Sequence, residues 1–446
     1  MSEYIPHTPE DQRQMLQAIG LRTLEDLFSD IPKTILDHFE PVGLNPLSEL
    51  EIKQHFNQLA SKNVDSTQFI SFLGGGIYDH HVPSVVNHLI TRSEFFTSYT
   101  PYQAEASQGT LTWMFEFQTL ICELTGMDVA NASMYDGGSA LAEAMLMAHH
   151  HTGSTKFLVA KSVHPHFQQI IGTYAWAADF RLVKIPQNER GQLDLDFIRK
   201  HANDKLGGVL VQTPNFFGII EDLSGIKEMI GNALLCVSAH PLALGVIKSP
   251  GEFGADIVVS EGQVLGNAPN FGGPLVGLFG CKQAYLRKMP GRISGRTSDH
   301  DGNIGYVMTL QTREQHIKRA KATSNICTNQ ALCALATTIY LATLGKKGFR
   351  ELAELNVQKA HYLARELQKI SGVSLKWPAS PFFNEFAIEL PKKAASVLKK
   401  LRKHGILGGI DLSPHRFKNT LLIAVTEKRR REELDKFVQA LQEVLG

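Results

Sequence analysis

From Lys156 to Glu261 the chain alternates between short apolar runs and segments of helical periodicity. The runs are FLVAKS, FRLVKIP, GGVLVQTPN, ALLCVSA and DIVVSE; between them lie predicted helices from His166 to Tyr174, near Asp194 to Ala202, and in SGIKEMIG. Apolar runs of this kind predict strands buried on both faces, and their alternation with helices predicts an open, mostly parallel α/β sheet. Ligands of such sheets sit at the carboxyl ends of the strands. Those ends carry Ser162, His164, Pro214, Asn215, Ser238, His240 and the turn Glu261-Gly262-Gln263.

The flanking regions read differently. Thr8 before Pro9, Glu10 and Asp11, and Ser48 with Glu51, are helix N-terminal signals. With Pro32 and Pro41 breaking the chain between them, residues 1–70 are expected to form a helical arm that embraces another subunit. Glycine-rich GGGIYDHH follows at Gly74–His81, and then the aromatic and hydroxyl-rich stretch from Phe95 to Gly109 precedes an amphipathic helix that stops at Gly126. Tyr99, Thr100, Tyr102 and Gln103 in this stretch suit a polar pocket or a subunit interface. Gly137, Gly138 and Ser139 open the helix ALAEAMLMAHHH, where free backbone amides and the positive end of the dipole can hold a phosphate. After Asn329 a long helical pair, two strands and two further helices predict a smaller α/β unit. The expected division is therefore arm 1–70, large domain 71–328 and small domain 329–446.

Composition narrows the partners. Lys plus Arg number 45 against 44 Asp plus Glu in 446 residues, which gives no field for nucleic acid or an acidic membrane surface. Five cysteines lie scattered without ligand spacing, as expected of free thiols in a reducing cytosol. His149, His150 and His151 stand without a second ligand cluster, so no metal is expected. Neither a leader pattern nor an 18-residue apolar run is seen, and the expected location is the cytoplasm.

The stretch ADIVVSEGQVLG resembles the active-site strand of the aminotransferase-like fold, pyridoxal phosphate fold type I, and the candidate cradle at Gly137–Ser139 falls where that fold seats the cofactor phosphate. In that fold a lysine eight residues beyond the aspartate forms a Schiff base with the cofactor; here the position is Val264. The aspartate that pairs with the pyridine nitrogen is also missing, because Ser238-Ala239-His240 stands where Asp-x-Ala-His is usual. His164 is placed to stack on the ring. Two losses together imply that the chemistry needs a second chain.

Longer motifs sharpen the resemblance: TPYQAEASQG, Asn270-Phe271-Gly272-Gly273-Pro274, Met289-Pro290-Gly291-Arg292, LQTREQHI from Leu310 and KATSNICT from Lys321. Across nearly the whole chain they resemble the P-protein of the glycine cleavage system, glycine dehydrogenase (decarboxylating), in its subunit 1 or α form. The resemblance implies a β subunit that carries the lysine and pyridoxal phosphate, glycine as substrate, and the lipoyl arm of the H-protein as acceptor of the aminomethyl group. It also implies an α2β2 assembly. The basic run around Arg313, Lys318, Arg319 and Lys321 reads either as a solvated face or, with Thr323-Ser324-Asn325 entering a helix at Thr328, as a support for a site. Two rival readings are a self-sufficient pyridoxal enzyme using Lys248 or Lys282, and a non-catalytic scaffold.

Overall fold

The structure is a computed structural model describing residues 6–40, 42–64, 67–202, 205–270 and 272–446. Pro41, Phe271 of the NFGGP motif, and the first five residues of the stretch read for a leader fall outside the described residues. The chain divides into two compact units, the first ending at Val64 and the second running on to Gly446.

The first unit holds helices Pro9–Ala18, Lys33–Leu36 and Glu49–Ala60. The first and the third start as their sequence signals require. The Thr8 hydroxyl accepts from the Asp11 N–H at 3.2 Å while the Asp11 carboxylate accepts from the Thr8 N–H at 2.7 Å; Ser48 and Glu51 repeat the exchange at 3.3 and 2.8 Å. Among its described residues Leu16 alone is a buried hydrophobic side chain, and Phe28, Phe39, Leu44, Leu50 and Phe56 are exposed. This unit therefore has almost no core of its own.

The second unit is built on a seven-stranded sheet in the order Val129–Ala130, Gly277–Cys281, Ile257–Glu261, Leu234–Ala239, Leu206–Thr213, Lys156–Ala160, Arg181–Ile185. Neighbours from Ile257–Glu261 outward to Arg181–Ile185 pair in parallel, and Gly277–Cys281 runs antiparallel between its neighbours. The predicted strands are all present; Leu158, Val209, Leu235 and Val258 at the centres of four of them are fully buried, as two-sided strands require, whereas Arg181–Ile185, at the sheet edge, is only half-buried. Helices Gly137–Thr152 and Pro165–Ala177 and the long Gln108–Thr125 pack around this sheet.

One carboxylate fastens the amino end of the central strand. Asp256, fully buried, accepts from the Leu235 N–H at 2.9 Å, Lys227 Nζ at 2.7 Å, Lys282 Nζ at 3.1 Å and the Tyr285 hydroxyl at 3.1 Å. Lys282 is thereby held at the opposite end of the strand from the ligand-bearing edge. Lys248 is exposed.

A second, four-stranded antiparallel sheet is ordered Ser374–Leu375, Glu385–Glu389, Thr420–Ala424, Ile410–Asp411, with helices Ala394–Leu401 and Arg431–Leu445. The long span Ala331–Leu367 is the predicted helical pair: two helices meet at Gly345, whose φ of 60° and ψ of −179° leave the helical region. It begins at Ala331, not at Thr328, because the preceding segment is held extended by Arg292. Ile70–Ser71 pairs with Ile406–Leu407 and so delivers the glycine-rich Gly74–His81 segment to the Glu385–Glu389 strand. Among the described residues no helix is long and apolar enough to cross a membrane.

Candidate functional site

The carboxyl ends of the parallel strands converge on one cavity, and seven residues singled out from the sequence line it: His164, Pro214, Asn215, Ser238, His240, Glu261 and Val264. Its volume is about 40 Å³. A void of that size admits a few water molecules, whereas sites for small organic ligands run to several hundred Å³.

His164 is fixed through both ring nitrogens. Its Nδ1 accepts from the His166 N–H at 3.2 Å, so the hydrogen-bond network assigns the proton to Nε2, which donates to the Gly75 carbonyl at 2.6 Å. Burial lowers its pKa to about 4 and leaves it neutral. The ring packs between Phe167 and Phe216 at 4.9 and 5.2 Å between centroids. His240 is different: both ring nitrogens are shut off from solvent without a partner, and burial, with His80 nearby, lowers its pKa to about 3. Tyr78 and Phe383 close around it. Ser238 is the last residue but one of its strand, and Val264 fills the place at which a lysine would enter.

At the phosphate cradle expected from Gly137, Gly138 and Ser139, two of the three amides already have acceptors within the chain. The Gly137 N–H donates to Glu261 Oε2 at 2.9 Å, and the Ser139 N–H donates to Asp136 Oδ1 at 2.8 Å. Glu261 Oε1 also accepts from the N–H groups of Gln263 and Val276 at 3.0 and 3.2 Å. A Cβ on Gly137 would stand 2.8 Å from the Glu261 nitrogen, so glycine is needed here for close approach. Over Gly138 lie the side chains of Phe167 and Ile170. Burial raises the Glu261 pKa to about 7 against the three N–H groups that pull it down. An internal carboxylate thus fills the helix N-terminus that an external anion would need.

A second buried carboxylate closes the opposite wall. Glu385 accepts from the Gly75 N–H at 2.7 Å and from the Tyr78 hydroxyl at 2.8 Å, and burial raises its pKa to about 7. The Gly74–His81 loop is pinned further by His80 on Glu427 at 2.7 Å and by Asp79 on Lys428 and Arg429 at 2.6 and 3.1 Å. His80 is thereby buried, whereas His81 is exposed. Asn384 faces the cavity with an unpartnered side-chain nitrogen. Sequence reasoning passed over Glu385 and Asn384; the available signal was a carboxylate and an amide interrupting the apolar strand FNEFAIEL.

Tyr99, Thr100, Tyr102 and Gln103 do not line this cavity. Tyr99 and Tyr102 are 76% and 78% exposed, and Tyr99 borders a separate surface hollow with Phe96 and Trp113. Thr100 accepts from the buried Arg292 at 3.3 Å; Arg292 also reaches Thr328, Asn329 and the Cys327 carbonyl, all neutral acceptors. Arg313, one of the residues of the basic run, is buried and donates to the carbonyls of Leu310, Met289 and Gly291. Part of that run therefore supports backbone around Arg292 instead of meeting solvent.

The mostly parallel sheet, the smaller antiparallel sheet and the cavity at the strand ends define an aminotransferase-like protein of pyridoxal phosphate fold type I. Its residues do not fit the cofactor: lysine and aspartate are absent, Glu261 fills the cradle, and the cavity is too small. Distant structures share this fold, including a sphingosine-1-phosphate lyase of Burkholderia pseudomallei, 14% identical with TM-score 0.66 over 91% of this chain and 92% of that one. The family described as Glycine cleavage system P-protein matches residues 2–441. Probable glycine dehydrogenase (decarboxylating) subunit 1 of Chloroherpeton thalassium is 51% identical over 99% of both chains. The corresponding protein of Carboxydothermus hydrogenoformans is 50% identical over 98% of this chain and 99% of its own. A crystal structure of glycine decarboxylase (P-protein) of the glycine cleavage system, in inhibitor-bound form, superposes with TM-score 0.89 at 44% identity over 100% of both chains. The chain belongs to the P-protein family of the glycine cleavage system.

Proposed function

We propose that this chain is the subunit of a two-subunit glycine dehydrogenase (decarboxylating) that carries no cofactor. With a β subunit holding pyridoxal phosphate and its lysine, it decarboxylates glycine and passes the aminomethyl group to the lipoyl arm of the H-protein. One observation carries the reading: in a chain that matches subunit 1 relatives end to end, Val264 and Glu261 close the seat that the chemistry requires. The pyridoxal phosphate supplies the sink for the electrons released with carbon dioxide. This chain supplies surface, through the exposed Tyr99–Gln103 loop buttressed by Arg292 and the apolar side chains of the first unit. In this reading residues 1–70 serve as the arm, 71–328 as the large domain and 329–446 as the small one. An α2β2 assembly follows, with interfaces above the ~2,000 Å² typical of obligate partners. A self-sufficient pyridoxal enzyme is disfavoured, because Lys282 is engaged by Asp256 and neither it nor Lys248 lines the cavity.

The test is reconstitution of glycine decarboxylation with lipoylated H-protein and a β subunit, with and without this chain. Turnover is expected only when both subunits are present. Equal turnover by the β subunit alone would reduce this chain to a scaffold.

A further inference from the structure

We propose that a groove beside the closed cavity is a binding site for a small organic anion, a phosphate or carboxylate carried on a flat aromatic body. The groove has a volume of about 580 Å³ and lies where Lys156–Ala160, Arg181–Ile185 and Leu206–Thr213 release their chains, the edge at which open α/β sheets hold ligands.

Its charge is one-sided. Lys161, Lys184, Arg416 and His415 line it together with glutamines and phenylalanines, and no carboxylate does. Among the described residues, no acidic side chain forms an ion pair with Lys161, Lys184 or Arg416. Lys184 is partly buried, and burial lowers its pKa; its one side-chain partner is the Gln168 amide oxygen at 2.8 Å. Gln168 is itself held by the carbonyls of Lys161 and Val163 at 3.0 and 2.7 Å, so the ammonium is aimed and not merely tethered. The helix Pro165–Ala177 begins here, with Pro165 in the wall, and its dipole adds positive potential. A desolvated ammonium without a counter-charge is costly in a finished fold and gains most from an incoming anion. Phe217 and Phe417, 5.2 Å apart, form an edge-to-face wall against which a flat ring can lie.

Trp377 reports on that wall, standing 5.3 Å from Phe217 and 5.4 Å from Phe417. The experiment titrates the full chain with adenosine monophosphate, naphthoate, inorganic phosphate and adenosine, following tryptophan fluorescence and calorimetric heat. Saturable binding is expected for the first two, weaker binding for phosphate alone, and weakest for adenosine. Lys184→Gln is expected to weaken binding about tenfold, with an unchanged thermal midpoint and circular dichroism. Lys161→Gln provides a second, exposed position at which a smaller loss is expected. Absence of saturation with all four probes at millimolar concentration overturns the proposal, as does binding that survives both substitutions. If Lys184→Gln weakens association with an acidic protein partner while no small anion binds, the groove is a protein contact and the proposal fails. The titrations use this chain alone, so they stand or fall independently of glycine turnover.

Discussion

Glu261 caps a helix that begins 124 residues earlier in the chain, its carboxylate accepting the Gly137 N–H at 2.9 Å. Because the same group also takes the N–H groups of Gln263 and Val276, it ties the end of the strand Ile257–Glu261 to the helix start and to the antiparallel strand beside it. Glu261→Ala leaves three buried donors without an acceptor. The expected loss of stability is about 1–3 kcal/mol, read from urea denaturation of the free chain. An unchanged midpoint would mean that water replaces the carboxylate without cost.

Restoring the missing lysine is not expected to restore the site. Val264→Lys forces a longer side chain into a cavity of about 40 Å³ whose cradle is already filled. Overpacking of this kind costs about 1–3 kcal/mol. Borohydride reduction in the presence of pyridoxal phosphate, followed by peptide mapping, is expected to find no cofactor at position 264. Stoichiometric label there would show that the seat opens readily.

The buried Glu385 makes stability depend on pH. Its folded pKa is raised to about 7 by burial, above the ordinary carboxyl value, so the folded chain binds a proton that the unfolded chain has released. Its contribution is fully present below the unfolded pKa, near pH 4–5, and is lost as the pH rises through about 7. Glu385→Gln mimics the protonated form and is expected to flatten the decline of the thermal midpoint between pH 5 and 8, the approximate window set by that shift. Identical pH profiles for the two proteins would refute the assignment.

Tyr99 and Tyr102 are too exposed for their hydroxyls to matter to the free chain. Tyr99→Phe and Tyr102→Phe are expected to leave the midpoint of this subunit unchanged. If the loop completes the shared cleft, as proposed, at least one of them lowers glycine turnover of the complex by roughly tenfold to a thousandfold. Full turnover in both variants would return the loop to packing.

The first unit offers a cleaner test of assembly. Phe28→Asp and Phe56→Asp alter exposed positions and should change the stability of the free chain by no more than about 0.5 kcal/mol. Sizing chromatography with the β subunit is expected to show weakened or lost association. Retention of the full complex would exclude these side chains from the interface.

Readability of the chain followed the range of the interactions. Strand and helix positions, and the Thr8 and Ser48 caps, were visible because periodicity and capping are set within a few residues. The strand-end residues His164, Ser238, His240 and Val264 could be brought together because a parallel sheet aligns those ends by rule. What stayed hidden depends on partners far away in sequence. The amides at Gly137 read as free until Glu261 is placed, and Gly75 meets Glu385 across 310 residues. Arg313 read as part of a basic face, yet the hairpin Ile293–Ser298 and Ile304–Thr309 folds its segment back onto Met289 and Gly291. Lys282 seemed available until Asp256 claimed it.

A cavity that admits only water has a further consequence for the life of the subunit. A protein whose folded form binds a cofactor gains stability from each increment in that cofactor's concentration, and loses it under scarcity. In the proposed division of labour, where the partner subunit holds the cofactor, this chain has no such term of its own, and its folded population does not follow vitamin supply.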